Sequence, residues 1–322
     1  MKLAVLGKIH QDGLDFLKSH ELEVMEINDF DENNIMQKIT EADGIIIRTA
    51  QLREKILSKC KNLKIVARHG VGYDNIDLDY LNKKNIALAI TGQSNAVSVS
   101  EHVVTMMLVL SKNIFASDSL TRSNGFKSKA QLPDFFELYE KKILILGFGR
   151  IGQALAKRCM GFEMEILVHD PFVDNQKIIS CGYKPINKLE GFKVADYISV
   201  HLPLNKNTKN LISDSEFKLF KKNLILINTA RGGIVNEEAL YYALKSKKIL
   251  GAGIDVFEQE PPSQNNKLFS LDNIILTPHN SALTLECRKR MSLESCMNVF
   301  NYLKNKKNMK KSNIVNFNNL NF

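Results

Sequence analysis

Three runs in this 322-residue chain end in side chains fit for acid–base or anion chemistry. Leu224-Ile-Leu-Ile-Asn-Thr-Ala-Arg231 places an arginine just past a buried-strand pattern, where a guanidinium suits a carboxylate. Gly251-Ala-Gly-Ile-Asp255-Val-Phe-Glu-Gln-Glu260 ends a second run with carboxylates, and Ile274-Ile-Leu-Thr-Pro-His279 ends a third with an imidazole. A fourth run, Ile143-Leu-Ile-Leu-Gly147-Phe-Gly149-Arg150-Ile151-Gly152, is a glycine fingerprint that follows a strand and opens a helix. Gly147 permits the tight turn, Gly149 lets the backbone approach a pyrophosphate, and Gly152 allows close strand–helix packing. The helix start offers orphan N–H groups to the phosphates. Asp170 follows Gly152 by eighteen residues, at the end of the next strand, where a carboxylate accepts from adenosine ribose hydroxyls and repels a 2′-phosphate. NAD is therefore favoured over NADP. Beside a nicotinamide, an Arg, a carboxylate and a His together serve hydride transfer at a carbinol carbon. His279 would take or return the hydroxyl proton, Glu260 would orient the imidazole and favour its protonated form, and Arg231 would hold a substrate carboxylate. Singly, each also has a structural reading as a surface Arg, a capping Glu or a core His. Their combination at strand ends behind a dinucleotide fingerprint points to an active site.

A further set lies nearer the N-terminus. Gly44-Ile-Ile-Ile-Arg48 and Leu63-Lys-Ile-Val-Ala-Arg68 each end a strand pattern with an arginine, and Gly70-Val71-Gly72 follows as a candidate nest of backbone N–H groups. All of these are expected to face the substrate cleft. With Arg231 they give three guanidinium groups, more than one carboxylate requires and matched to a carboxylate plus a phosphate. The structural alternative for Arg48 or Arg68 is an ion pair between domains.

The elements that must position these residues read as alternating strands and helices. Short, β-branched, largely unalternated runs occur at Leu3–Leu6, Gly44–Ile47, Leu63–Ala67, Ile86–Ile90, Ile143–Leu146, Glu165–Val168, Tyr197–Val200, Leu224–Ile227, Gly251–Val256 and Ile274–Leu276. Such runs are those of parallel strands buried on both faces. Helical periodicity lies between them, as in Gly13–Ser19, Ile151–Met160 and Glu237–Ser246. The pattern is α/β, and this many strands means two sheets rather than one. A helix from near Asn95 carries Val99, Val103, Val104, Met106, Met107, Leu108, Val109 and Leu110 around nearly its whole circumference, which suits a seam between domains or subunits. After it, Arg122–Glu140 is a polar excursion before the second sheet opens at Lys141.

Composition narrows the class. With 44% hydrophobic and 25% charged residues the chain matches a folded soluble protein. The five cysteines are odd in number, widely spaced and never arranged C-x-x-C, which argues against a disulfide scaffold and a structural zinc site; no metal is expected. The net charge of +9 could signal nucleic acid, but five of those charges are Lys304, Lys306, Lys307, Lys310 and Lys311, in an Asn/Lys-rich tail that reads as a solvated end. No signal peptide and no membrane span is evident, since the apolar start stops at Leu6 and the run Val97–Leu110 holds Glu101 and His102. A cytoplasmic protein without nucleic-acid or membrane partners is expected.

The motifs resemble those of the D-isomer-specific 2-hydroxyacid dehydrogenases, most closely the short-type D-3-phosphoglycerate dehydrogenases. The resemblance runs from about Arg48 to beyond His279. It is carried by Arg68-His-Gly-Val-Gly-Tyr-Asp-Asn, Asn95-Ala-Val-Ser-Val-Ser-Glu-His, the glycine fingerprint, Val200-His-Leu-Pro-Leu, Asn228-Thr-Ala-Arg-Gly-Gly, Asp255-Val-Phe-Glu-Gln-Glu-Pro and Pro278-His. It implies Arg231, Glu260 and His279 as the catalytic set. It implies cofactor contacts from Val71, Gly147, Gly149, Arg150, Ile151, Gly152, Asp170, His201, Thr208, Thr229, Ala230, Asp255 and Ala282, with Asp255 near the nicotinamide. It further implies a Rossmann NAD-binding domain (96–286) inserted into a flavodoxin-like substrate domain (1–95 plus 287–322), and a homodimer built largely on the cofactor domain. Many members follow the catalytic His with an apolar residue, Gly, then Gly or Ala, whereas here it is His279-Asn-Ser281-Ala282. A side chain then stands where backbone often faces the nicotinamide.

For substrate, the three arginines favour 3-phospho-D-glycerate and 3-phosphooxypyruvate, the runner-up being a glyoxylate or hydroxypyruvate reductase. Formate dehydrogenases share the resemblance but carry an amide in place of the glutamate, so Glu260 speaks against that reading. An NAD-sensing transcriptional corepressor on the same scaffold is the alternative from a different class. The basic tail is the local feature in its favour.

Overall fold

The β-branched runs form parallel strands joined by helices, and the computed structural model describes residues 1–320. The chain divides into two compact units, one of Met1–Asn95 with the segment from Leu283 onward, the other Ala96–Ala282.

The first unit begins with β1 (Lys2–Leu6), α1 (Gln11–Ser19), β2 (Glu23–Ile27), α2 (Glu32–Lys38), β3 (Gly44–Ile47), α3 (Glu54–Leu57), β4 (Ile65–Arg68), α4 (Leu78–Lys83) and β5 (Ala87–Ile90). Its five strands are all parallel in the order β2-β1-β3-β4-β5, a flavodoxin-like winding. Along β1, Ala4 and Leu6 enter one core and Leu3 and Val5 the other, so the sheet is buried on both faces.

The second unit runs α5 (Ala96–Ser111), α6 (Ile114–Arg122), β6 (Lys142–Leu146), α7 (Arg150–Met160), β7 (Glu165–His169), α8 (Asn175–Ser180), β8 (Lys184–Pro185), α9 (Lys188–Val194), β9 (Tyr197–Val200), α10 (Asp214–Leu219), β10 (Ile225–Asn228), α11 (Glu237–Lys245), β11 (Gly251–Ile254) and β12 (Ile274–Leu276). The strand order is β12-β11-β10-β9-β6-β7-β8, all parallel, so the winding reverses at β6 as in a Rossmann sheet. Leu144 and Leu146 of β6 face one core while Ile143 and Ile145 face the other. On α5, Val99, Val103, Met106 and Met107 are buried, but Val104, Leu108, Val109 and Leu110 are only half-buried within this chain. Returning to the first unit, α12 (Leu285–Lys304) packs across β3, β4 and β5 and against α1.

Two strands are absent from the sequence reading, β2 and β8. Both are edge strands, where one side lacks a neighbour. Glu23, Met25 and Glu26 of β2 are exposed, and β8 is a two-residue strand ending in proline. Neither needed the continuous apolar run that marks a central strand.

The tail corrects another expectation. Its five lysines are exposed, but Asn313, Ile314, Asn316 and Leu320 are buried. Ile314 bridges antiparallel to Ala89, and Val315 N–H donates to Leu88 O at 2.8 Å. The Asn316 amide then mimics a strand, accepting from Leu88 N–H at 2.8 Å and donating to Ile86 O at 2.9 Å. The tail thus closes the β5 edge, and Asn316 is there for backbone pairing rather than solvation. Asn321 and Phe322 lie outside the described residues.

Candidate active site

Asp31, Asp77, Asp174, Asn187, Asn236 and Thr284 each accept a first-turn N–H from the helix they precede. The eleven-residue helix α7 instead starts on Gly149 with no side-chain cap. Gly147, at φ +95°, occupies the left-handed region, and a Cβ there would stand 2.6 Å from His201 O. A Cβ on Gly152 would stand 2.2 Å from Gly147 O, whereas one on Gly149 would meet nothing within 4 Å. The chain itself therefore requires Gly147 and Gly152, and the space above Gly149 is left to a ligand. Asp170 fixes the turn, Oδ2 accepting from Phe148 N–H at 2.8 Å and Oδ1 from Phe172 N–H at 2.9 Å. Beside it opens a cavity of about 500 Å³ lined among others by His169, Asp170, Pro171, Ile186 and Asn187.

Register aligns the ends of the neighbouring strands, Asn228 of β10 facing Val200 of β9. The next residues, Thr229 and His201, each keep a buried polar atom, Oγ1 and Nδ1, without a partner among the described residues. His201 Nε2 pairs with Ser199 Oγ at 2.8 Å, and burial pushes the imidazole pKa down to about 3, so the ring is neutral. The uncapped helix, the open space at Gly149, the cavity by Asp170 and these two orphaned atoms lie at the carboxyl ends of the strands around the winding reversal. Together they fit a dinucleotide. Thr208 is committed to its own loop, its hydroxyl donating to Pro203 O and accepting from Asn205 N–H.

The acid–base residues stand in the same unit. His279 Nδ1 lies 2.7 Å from Glu260 Oε2, and Glu260 Oε1 accepts from Phe257 N–H at 3.1 Å. Burial pushes the Glu260 pKa up, but the hydrogen bonds from His279 and Phe257 and the charges of His279 and Arg231 outweigh it and hold the carboxyl below its usual range. Arg231 reaches this neighbourhood because a Cβ on Gly232 would stand 1.8 Å from Phe257 O, so the two loops touch through backbone. The Asn228 side chain shapes the arginine's turn, donating to Arg231 O at 2.9 Å and accepting from Ala230 N–H at 3.0 Å.

Asp255 is wholly buried. Its Oδ1 accepts from Thr277 Oγ1 at 2.5 Å and Asn280 N–H at 2.9 Å, and Oδ2 from Ser281 N–H at 3.1 Å. The carboxylate thus holds the loop on both sides of His279, whose φ of +51° is unusual for a residue with a side chain. Ser281 is buried and Ala282 half-buried. Thr277 and His102, which join this network, have no role assigned to them from the sequence, although His102 closes the Asn95-Ala-Val-Ser-Val-Ser-Glu-His block.

In the other unit, Arg48 and Arg68 follow or end the adjacent strands β3 and β4, with Ile47 in register with Arg68. Arg68 Nη1 donates to His69 O. His69 is buried with Nε2 unpartnered among the described residues, and burial together with the charges of Arg68 and Arg48 pushes its pKa down to about 4. Gly70 takes φ +144°, with Val71 and Gly72 following half-buried.

Residues 104–281 match the family model for the NAD binding domain of the D-isomer specific 2-hydroxyacid dehydrogenases. The chain belongs to this family. A hydroxypyruvate reductase of Thermotoga maritima is 36% identical, over 89% of this chain and 93% of that protein. A D-3-phosphoglycerate dehydrogenase of Archaeoglobus fulgidus is 33% identical over 94% of this chain, which spans only 58% of that longer relative. The crystal structure of a D-lactate dehydrogenase from Aquifex aeolicus, complexed with NAD and lactic acid, superposes with a TM-score of 0.85 at 28% identity, covering 97% of this chain and 98% of that one. In this member of the 2-hydroxyacid dehydrogenases the NAD binding domain holds the glycine turn, Arg231, Glu260 and His279 alike. Among the described residues no single helix is long and apolar enough to cross a membrane.

Proposed function

We propose that the chain is an NAD-linked oxidoreductase that interconverts a D-2-hydroxy acid and its 2-oxo acid, with 3-phospho-D-glycerate and 3-phosphooxypyruvate as the preferred pair. The observation that carries the reading is the 2.7 Å His279–Glu260 bond in the NAD binding domain, with Arg231 close enough to lower the Glu260 pKa. NAD supplies the hydride acceptor at its nicotinamide. Because Nδ1 of His279 is held by Glu260, Nε2 is the atom that takes the hydroxyl proton in oxidation and returns it to the carbonyl oxygen in reduction. Arg231 holds the acid's carboxylate, a charge-assisted contribution of roughly 1.5–3 kcal/mol. Gly147, Gly149 and the first turn of α7 take the pyrophosphate and Asp170 the adenosine ribose.

The phosphorylated substrate is favoured by Arg48 and Arg68, two cations at adjacent strand ends whose positive field helps to keep the neighbouring His69 neutral. The reading includes a homodimer, for which Phe115 and Phe126, 66% and 68% exposed on and after α6, offer apolar surface. It also includes a cytoplasmic location, in keeping with five free cysteines. Steady-state reduction of a panel of 2-oxo acids with NADH tests the substrate. The expected result is the highest kcat/KM for 3-phosphooxypyruvate. Equal or greater kcat/KM for hydroxypyruvate or glyoxylate would overturn that choice, and no turnover of any 2-oxo acid would overturn the enzyme reading.

A further inference from the structure

We infer that His102, on α5, is a positioning residue for the acid–base pair, acting through Thr277 and Asp255 on the loop that carries His279; the catalytic part of this inference rests on the dehydrogenase reading above. The direction of each bond follows from the donors present. Backbone N–H groups reach both Asp255 oxygens, so this carboxylate serves as an acceptor, and Thr277 Oγ1 at 2.5 Å spends its one proton on Oδ1. His102 Nε2 lies 3.1 Å from the same hydroxyl oxygen, which has only lone pairs left to offer. The imidazole must therefore carry its proton on Nε2 and donate. Burial outweighs the attraction of Asp255, 3.9 Å away, and lowers the His102 pKa, so the ring is the neutral donor this chain needs.

The consequence falls on His279. Its left-handed backbone is sterically costly and persists only where surrounding contacts over-determine it. Those contacts are the N–H groups of Asn280 and Ser281 on Asp255, and His279 N–H on Thr277 O at 3.0 Å. Thr277 thus meets the loop twice, through its carbonyl and through the hydroxyl it shares with Asp255. The Thr277 hydroxyl is held in both of its roles, donating to Asp255 and accepting from an imidazole on α5, 175 residues away in sequence. His102 sets the hydroxyl, the hydroxyl and two amides set Asp255, and Asp255 sets the aim of the imidazole.

The test uses the full chain with His102→Leu, which fills similar space without a donor, and His102→Gln, whose amide can donate at similar reach. Amide hydrogen exchange is read in the free protein at Asn280 and Ser281, and steady-state reduction of the preferred 2-oxo acid is read separately. In His102→Leu the two amides should exchange about tenfold faster or more while the sheet strands keep their protection. In the same variant kcat should fall about tenfold with both KM values within about twofold, since aim rather than binding is lost. His102→Gln should restore both. Unchanged exchange in His102→Leu, acceleration spread over the whole sheet, or equal acceleration in the two variants would each overturn the inference. Because exchange needs neither cofactor nor substrate, an inactive wild-type chain would remove the dehydrogenase reading while exchange still decides whether His102 anchors the loop.

Discussion

The Glu260 carboxylate divides its two oxygens between Phe257 N–H at 3.1 Å and His279 Nδ1 at 2.7 Å, so one side chain ties the loop after β11 to the imidazole. Its lowered pKa means that it is ionised at neutral pH. Replacing Glu260 by Gln removes that charge while keeping an acceptor for the imidazole, so kcat for reduction should fall by roughly tenfold or more while KM for NADH stays within about twofold. An unchanged kcat would remove Glu260 from the acid–base pair.

His279→Ala should keep NADH binding, measured by fluorescence titration, and lose roughly 10²–10⁴-fold in kcat, the range for a lost general acid–base group. Turnover within a few fold of wild type would remove the imidazole from the chemistry.

Asp170 bears on cofactor choice. Both of its oxygens accept backbone N–H groups, and if it takes the adenosine ribose as proposed, its charge faces the position of a 2′-phosphate. Asp170→Ser should lower kcat/KM with NADH and raise it with NADPH, shifting the ratio by about tenfold or more, since one removed repulsion of about 1.4 kcal/mol is a factor of ten. A ratio that stays constant would place the ribose elsewhere.

His69 makes stability depend on pH. Its folded pKa of about 4 lies below the unfolded value near 6.5, so the folded state resists protonation. Stability is full above pH 6.5 and falls as pH drops towards 4, where the loss from this residue reaches roughly 3 kcal/mol. Urea unfolding at pH 7 and pH 4.5 should show a smaller acid loss in His69→Gln than in wild type. Equal losses would mean that the imidazole is not held neutral.

Asn316 carries the stability of the tail. Asn316→Ala strips the Leu88 N–H and Ile86 O of their side-chain partners at a buried edge, costing about 2–6 kcal/mol at 1–3 kcal/mol per stranded group. Urea unfolding should report that loss, while Asn318→Ala, at an exposed position, should leave stability within about 0.5 kcal/mol.

Residue types and spacing alone specify the α/β class, the ten strands that carry apolar runs, the glycine turn and the types of residue set at strand ends. These are local signals: a β-branched run or a spaced set of glycines encodes its meaning within a dozen residues. The edge strands β2 and β8 leave no such signal because neither carries an apolar run, Glu23, Met25 and Glu26 of β2 being exposed and β8 spanning two residues, unlike the edge strands β5 and β12. The tail was misread because asparagine looks the same to a sequence whether it pairs with water or with Leu88 and Ile86. Only the tertiary structure decided that Glu260 and His279 touch, that Asp255 is buried and holds the loop around His279, and that Thr277 and His102 complete that support. Each of those facts is a hydrogen bond between residues brought together by packing, across 19 residues for His279 and Glu260 and 175 for His102 and Thr277. Such bonds depend on angles and distances of a few tenths of an ångström, which residue type and spacing leave open and a packed core closes.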